Sequence, residues 1–127
     1  MFGRRPSATR SVLSESAKGA LFDIRDNILL AQQFVGDLDE KPFADSRLRF
    51  YAATRALEII SEASRRLPDE LRERHPQLPW REIRDAGNIY RQNYDNVAES
   101  LVWDTVRLHL PDLMRVVLEE IERLGEE

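Results

Sequence analysis

The residues whose types and spacing suit chemistry lie between Ile83 and Val97. This segment, IRDAGNIYRQNYDNV, follows a Pro79-Trp80 turn in an otherwise ordinary helical pattern. It carries Asn88, Arg91, Gln92, Asn93 and Tyr94 where a plain surface helix would carry Glu, Lys and Ala. Arg84 and Arg91 are seven residues apart and share one helix face, with Tyr90 and Tyr94 near the same stripe. Arginine beside aromatic rings holds phosphates and stacks bases. The same arginines can instead pair with Glu82, Asp85 and Asp95 around a packed Tyr90. Spacing alone leaves both readings open.

Other chemistry is sparse. His75 stands between Arg74 and Pro76 in a polar turn and reads as a solvated loop histidine. His109 precedes Leu110-Pro111 and reads as a cap on the end of the preceding helix. No His-x-x-x-His or Glu-x-x-His pair suggests a metal site, and no glycine-rich phosphate loop or G-x-S-x-G elbow occurs. No metal or cofactor is expected. Glu58 and Glu62, one helical turn apart, read as a solvated face or as salt-bridge partners of neighbours such as Arg55 and Arg66. The paired arginines Arg47/Arg49, Arg65/Arg66 and Arg72/Arg74 read as solvated helix faces.

Helices must position this segment, because no window alternates in the manner of a strand. Helix one is expected from the N-cap Ser14 to Gly36, burying Leu13, Ala17, Leu21, Ile24, Ile28, Ala31 and Val35. Phe22, Leu29, Leu30 and Phe34 fall outside that stripe and are candidates for burial against a second subunit. An acidic loop over Asp37–Pro42 leads to helix two at Asp45 or Ser46, with Leu48, Ala52, Ala56, Ile59, Ile60, Ala63 and Leu67 inward. Leu67-Pro68 ends it, and a short helix follows to His75. Trp80 opens the third main segment, which loosens over Asn93–Asn96. A fourth helix from Ala98 buries Leu101, Val102, Thr105, Val106 and Leu108, then kinks or restarts at Pro111. Leu113, Val117, Leu118, Ile121 and Leu124 face inward beyond it. The expected fold is an all-α bundle of four to five helices, with a frayed tail over residues 1–11 and a single domain over 12–127.

Composition sets the outer limits. A chain of 127 residues makes one domain and buries about two-thirds of its unfolded surface. Without cysteine there is no disulfide framework and no Cys-ligated zinc. A net charge of −4 argues against a protein that coats nucleic acid, while leaving room for a local basic groove. No apolar run is long enough for a signal peptide or a membrane span, so a cytoplasmic location is expected.

The ordered pieces FDIRDNI (Phe22 to Ile28), RALEIISEASRRLP (Arg55 to Pro68), HPQLPWREIRDAGN (His75 to Asn88), YDNV (Tyr94 to Val97), LVWDTV (Leu101 to Val106) and LPDL (Leu110 to Leu113) together resemble the HepT-like proteins of the HEPN superfamily. The likeness covers nearly the whole chain after the tail. It implies a HEPN-like helical bundle that forms a homodimer. In active members an Arg-Asn-x-x-x-His-x-Tyr motif from each subunit meets across the dimer and cleaves RNA without metal. Such a toxin is paired with an MNT-type minimal nucleotidyltransferase antitoxin, which adds AMP to the motif tyrosine.

By this resemblance Asn88 and Tyr94 match the motif, and Tyr94 is the candidate for AMP modification. Gly87 stands at the arginine position and Gln92 at the histidine position. The chemistry makes the second departure serious. RNA cleavage of this type deprotonates a 2′-hydroxyl and protonates a leaving oxygen, and glutamine has no proton titrating near neutrality. Loss of a general acid–base costs ~10²–10⁴ in rate. Arg91, beside position 92, can restore charge for a phosphate but not proton transfer.

Three readings follow: a HepT-like ribonuclease toxin by ancestry with degenerate catalysis; a homodimeric module in which Asn88, Arg84, Arg91, Gln92 and Tyr94 bind RNA or dock the nucleotidyltransferase; and a helical dimer whose motif region is structural.

Overall fold

A computed structural model describes residues 13–92 and 97–126, and of residues 88–92 and 97 it describes the backbone alone. The expected tail over residues 1–11 and the expected loosening at Asn93–Asn96 lie outside the described residues. Among the described residues the structure is helical, with no strand. Five longer helices form the bundle: α1 (Glu15–Val35), α3 (Arg47–Ser64), α5 (Trp80–Gln92), α6 (Val97–Asp104) and α7 (Leu110–Leu124). Two short ones, α2 (Glu40–Asp45) and α4 (Asp69–Glu73), turn the chain between them.

α1 starts and stops where the local chemistry requires. Ser14 Oγ accepts the Ala17 N–H at 3.0 Å, satisfying one of the orphan donors of the first turn. Gly36 ends the helix at φ 57°, a conformation glycine adopts without a side-chain clash. The carbonyls released there are capped from across the bundle. Arg49 Nη1 donates to Phe34 O, Arg107 Nη2 to Gly36 O and Leu38 O, and Trp103 Nε1 to Leu38 O, all at 2.9–3.1 Å. The predicted inner stripe of α1, Leu13 to Val35, is buried throughout. It packs mainly on α3 and also on α7. Of the residues outside the stripe, Phe22, Leu29 and Leu30 are exposed, whereas Phe34 packs against the core of its own chain.

α3 begins at the N-cap Ser46 as expected, but its inner face differs from the predicted one. Leu48 is 81% exposed. The acidic connection folds into α2, and its Phe43, fully buried, takes the inward place that Leu48 would have filled. The buried face of α3 runs through Ala53, Ala56, Leu57, Ile60, Ser61, Ala63 and Ser64.

The predicted restart at Pro111 takes a specific form. Residues Thr105–His109 make a π-helical turn, in which Leu110 N–H bonds Thr105 O, before α7 resumes with Pro111 in its first turn. Proline has no N–H and its ring crowds the carbonyl four residues back, and a widened turn accommodates both. The helical path therefore continues where an end was expected. His109 is exposed in the last turn of this segment, at the N-cap position of α7, and makes no side-chain cap bond there. Leu108 and Leu118, placed inward from sequence, are 61% and 46% exposed.

The inward position on α7 belongs instead to Glu120, 1% exposed. Arg74 donates to both carboxylate oxygens, Nη2 to Oε1 at 2.7 Å and Nε to Oε2 at 3.2 Å. His75 Nε2 lies 2.6 Å from Oε2. An ionised carboxylate only accepts, so the imidazole donates from Nε2. His75 is thus 5% exposed, not the solvated loop residue expected from its polar neighbours. Its carbonyl accepts from the Trp80 indole at 2.9 Å and from Leu78 N–H at 3.2 Å, which ties the network to the first residue of α5. Glu119 brings three ligand-type atoms to within 4.8 Å of one another, but the Arg74 guanidinium already takes the cation's place on Glu120.

Burial disfavours the charged form of Glu120, and the hydrogen bonds from Arg74 and His75, with their charges, outweigh it and hold its pKa below the ordinary 4.5. The native state therefore gains stability above about pH 4.5, which is lost as the pH falls through the lowered native value. Glu120→Gln should cost about 3 kcal/mol at neutral pH, because it leaves the buried side of the network uncompensated. That is roughly 10 °C in Tm for a chain of this size. Thermal unfolding from pH 7 downward should show the gap between the two proteins closing below about pH 4.5; a gap constant with pH would contradict the assignment.

Candidate functional site

α5 carries the chemistry-bearing segment and is fastened to α3 chiefly through Ser61. Ser61 Oγ donates to Arg84 O at 2.5 Å and accepts from Gly87 N–H at 3.4 Å. Ser64, one turn on, is buried with its hydroxyl bonded to Ser61 O. Small side chains on this stretch of α3 let the two helices approach closely. Ser61 was not recognised from sequence. Its signal was two serines, three apart, within an otherwise apolar helical stripe.

Gly87 is buried at this contact. Its conformation does not require glycine, since Gly36 is the positive-φ glycine among the described residues. Nor does its packing. A Cβ there would meet Ser61 Oγ at 3.6 Å, Ser61 Cβ at 3.7 Å and Glu58 Cα at 3.9 Å, ordinary van der Waals distances.

Beside Gly87 runs an open groove lined by Asp23 of α1 and by Arg55, Glu58, Ser61, Glu62, Arg65 and Arg66 from α3 and the turn after it. Arg55 pairs with Glu58 at 3.4 Å, as expected. Arg66 pairs with Asp23 at 2.7 Å, across to α1, and not with Glu62. Arg65 Nη2 donates to the Arg84 carbonyl at 3.2 Å. It is exposed, as expected of a solvated face, and also spans from α3 to α5.

Of the site residues expected from sequence, the structure places Gly87 at the groove. Arg84 lies half-exposed on α5 with Nε 3.6 Å from Asp85 Oδ1. Asn88, Arg91 and Gln92 lie on the α5 backbone, with side chains outside the described residues, and Tyr94 lies outside them altogether.

The chain is thus an all-α bundle in which α5 docks on α3 beside a polar groove. The family model described as "Ribonuclease HepT-like" matches residues 24–120, and the chain belongs to this family. It is 34% identical over 100 residues to "Putative RNase MJ1380" of Methanocaldococcus jannaschii, covering 79% of this chain and 92% of that protein. It is 33% identical over 101 residues to "Probable ribonuclease HepT" of Thermococcus cleftensis, covering 80% and 92%. It also matches "Gamma-glutamylcyclotransferase and putative RNase MJ0434" of M. jannaschii at 31% identity, over 88% of this chain and 50% of that longer protein. No solved structure shows a significant match to the chain.

Because neither backbone nor packing requires glycine at position 87, Gly87→Ala should stabilise the protein by about 0.5–1 kcal/mol, the ordinary gain in a helix interior. Denaturant unfolding measures it. A loss of stability would mean that the α3–α5 contact needs glycine after all.

Proposed function

We propose that this chain is a HepT-like ribonuclease scaffold, a toxin of a toxin–antitoxin pair by descent, whose catalysis is degenerate at Gly87 and Gln92. The observation that carries the reading is Gly87. It occupies the motif's arginine position, and nothing in its backbone or packing calls for glycine. A side chain has been removed there without a structural reason. Cleavage requires a base for the 2′-hydroxyl, whose oxygen attacks the adjacent phosphorus, and an acid for the departing 5′-oxygen. Gln92 serves neither task. Asn88 stays as a hydrogen-bonding residue, Arg84 and Arg91 as phosphate contacts, and Tyr94 as an acceptor for AMP from an MNT-type nucleotidyltransferase partner.

We place the protein in the cytoplasm as a homodimer. No helix among the described residues is long and apolar enough to cross a membrane. Phe22, Leu29 and Leu30, exposed on the outer side of α1, supply apolar surface for a second subunit. A second reading is favoured by the groove beside Gly87: a dimer that binds RNA or its antitoxin without cleaving.

RNA cleavage by the purified chain, with EDTA present, is expected to be absent or at least ~10²-fold below that of the Gln92→His and Gly87→Arg/Gln92→His variants. Cleavage by the unaltered chain at the rate of the restored variants would overturn the assignment of Gln92. If no variant cleaves but all bind RNA, the binding reading replaces the catalytic one.

A further inference from the structure

We propose that Arg65 supplies the phosphate-holding cation of the groove beside Gly87, reaching from the end of α3 into the place left by the side chain missing from α5. The proposal rests on the ribonuclease-scaffold reading above and names a residue that neither motif nor spacing marks.

Three arginines line the groove, and their bonding differs. Arg66 is neutralised by Asp23 at 2.7 Å, and Arg55 by Glu58 at 3.4 Å. Arg65 is exposed, and among the described residues its hydrogen bond goes to a neutral partner, the Arg84 carbonyl at 3.2 Å. That bond uses one N–H of the guanidinium and leaves the others, with the whole positive charge, for an anion. It also fixes where the charge sits. Arg84 O accepts from Ser61 Oγ as well, and Ser61 Oγ in turn accepts from Gly87 N–H. Arg65 and Gly87 are therefore linked through a chain of two hydrogen-bonding groups, on the same wall of one groove.

The groove as a whole is charge-balanced: Asp23, Glu58 and Glu62 line it together with the three arginines. Binding here depends on one directed guanidinium and not on a broad positive field. A single phosphate of an RNA strand suits it, and the expected salt dependence is correspondingly shallow. Neutralising one phosphate of a single strand contributes about −0.7 to the slope of log K against log salt.

The experiment is fluorescence anisotropy of a labelled single-stranded oligoribonucleotide from low to high salt, with Tm measured on every protein. The proteins are the unaltered chain, Arg65→Ala, Arg65→Lys, Gly87→Arg, Gly87→Arg/Arg65→Ala, and Arg115→Ala as a control for net charge. Arg115 is paired with Asp112 on α7, away from the groove. Arg65→Ala should weaken binding about tenfold at low salt and flatten the salt slope by about 0.7, while Arg115→Ala leaves both unchanged. Arg65→Lys should keep the slope. Adding Gly87→Arg to Arg65→Ala should restore binding, because one cation replaces the other. Arg65→Ala that binds like the unaltered chain overturns the role of Arg65 and leaves the family reading standing. A loss that neither Arg65→Lys nor Gly87→Arg restores, with lowered Tm, makes Arg65 only a fastener of α5 and also overturns it. If no protein of the set binds RNA, Gly87→Arg included, both the proposal and the reading beneath it fall.

Discussion

The placement of the motif helix depends on one buried carboxylate. Glu120 lies on the inner face of the last helix, held by Arg74 and His75. Both partners come from the turn that precedes α5, so this contact determines where that turn sits on the bundle. The His75 carbonyl then receives the Trp80 indole, and α5 begins from that point. Half a helix later Ser61 grips the Arg84 carbonyl and the Gly87 amide. A helix held at its origin and at its middle has little freedom to slide or rotate. Ion-pair desolvation is costly, and replacing such a network with apolar groups is often neutral for stability. Its value here is positional: each of its hydrogen bonds is directional, which a leucine contact is not.

Much of the scaffold was legible because helix ends and apolar stripes obey local rules. Ser14, Gly36, Ser46 and Pro111 act where their chemistry demands. The departures differ in cause. Leu108 and Leu118 are apolar but sit off the spacing of their buried neighbours, whereas Leu48 is in helical register with Ala52 and Ala56 and yet exposed. Leu108 lies two residues from both Val106 and Leu110, the opposite side of a helix from either. Leu118 follows Val117 and falls at the edge of the stripe. Leu48 precedes the point at which α3 meets the core, where Phe43 is already seated.

The ionic network was illegible for a deeper reason. Glu120 occupies an inward position of α7, in register with Leu113, Val116 and Val117, yet a glutamate in an apolar stripe reads as an interruption. Its partners lie 45 and 46 residues away in a turn with every mark of solvent exposure. A buried charge becomes plausible only when the opposite charge is known to meet it, and that knowledge is tertiary. The same holds for Arg65. As one of two adjacent arginines among acids, it is ordinary; only the groove shows that Arg66 is neutralised across to α1 while Arg65 is bonded to a carbonyl of the motif helix.

Scaffold and chemistry are thus carried by different residues. Glu120, Arg74, His75, Trp80 and Ser61 position α5, and Gly87 takes part in that positioning only through its backbone N–H. Any residue except proline supplies that N–H. A side chain at position 87 is therefore compatible with the fastening of α5, and so is its absence. A side chain at position 87 starts from a Cβ with ordinary contacts, beside a groove that Arg65 also lines. On the proposed reading, the groove, the fastening serine and Arg65 supply what binding requires, and the group that would move protons is the one missing. On that proposal, binding and catalysis are separable properties of the chain.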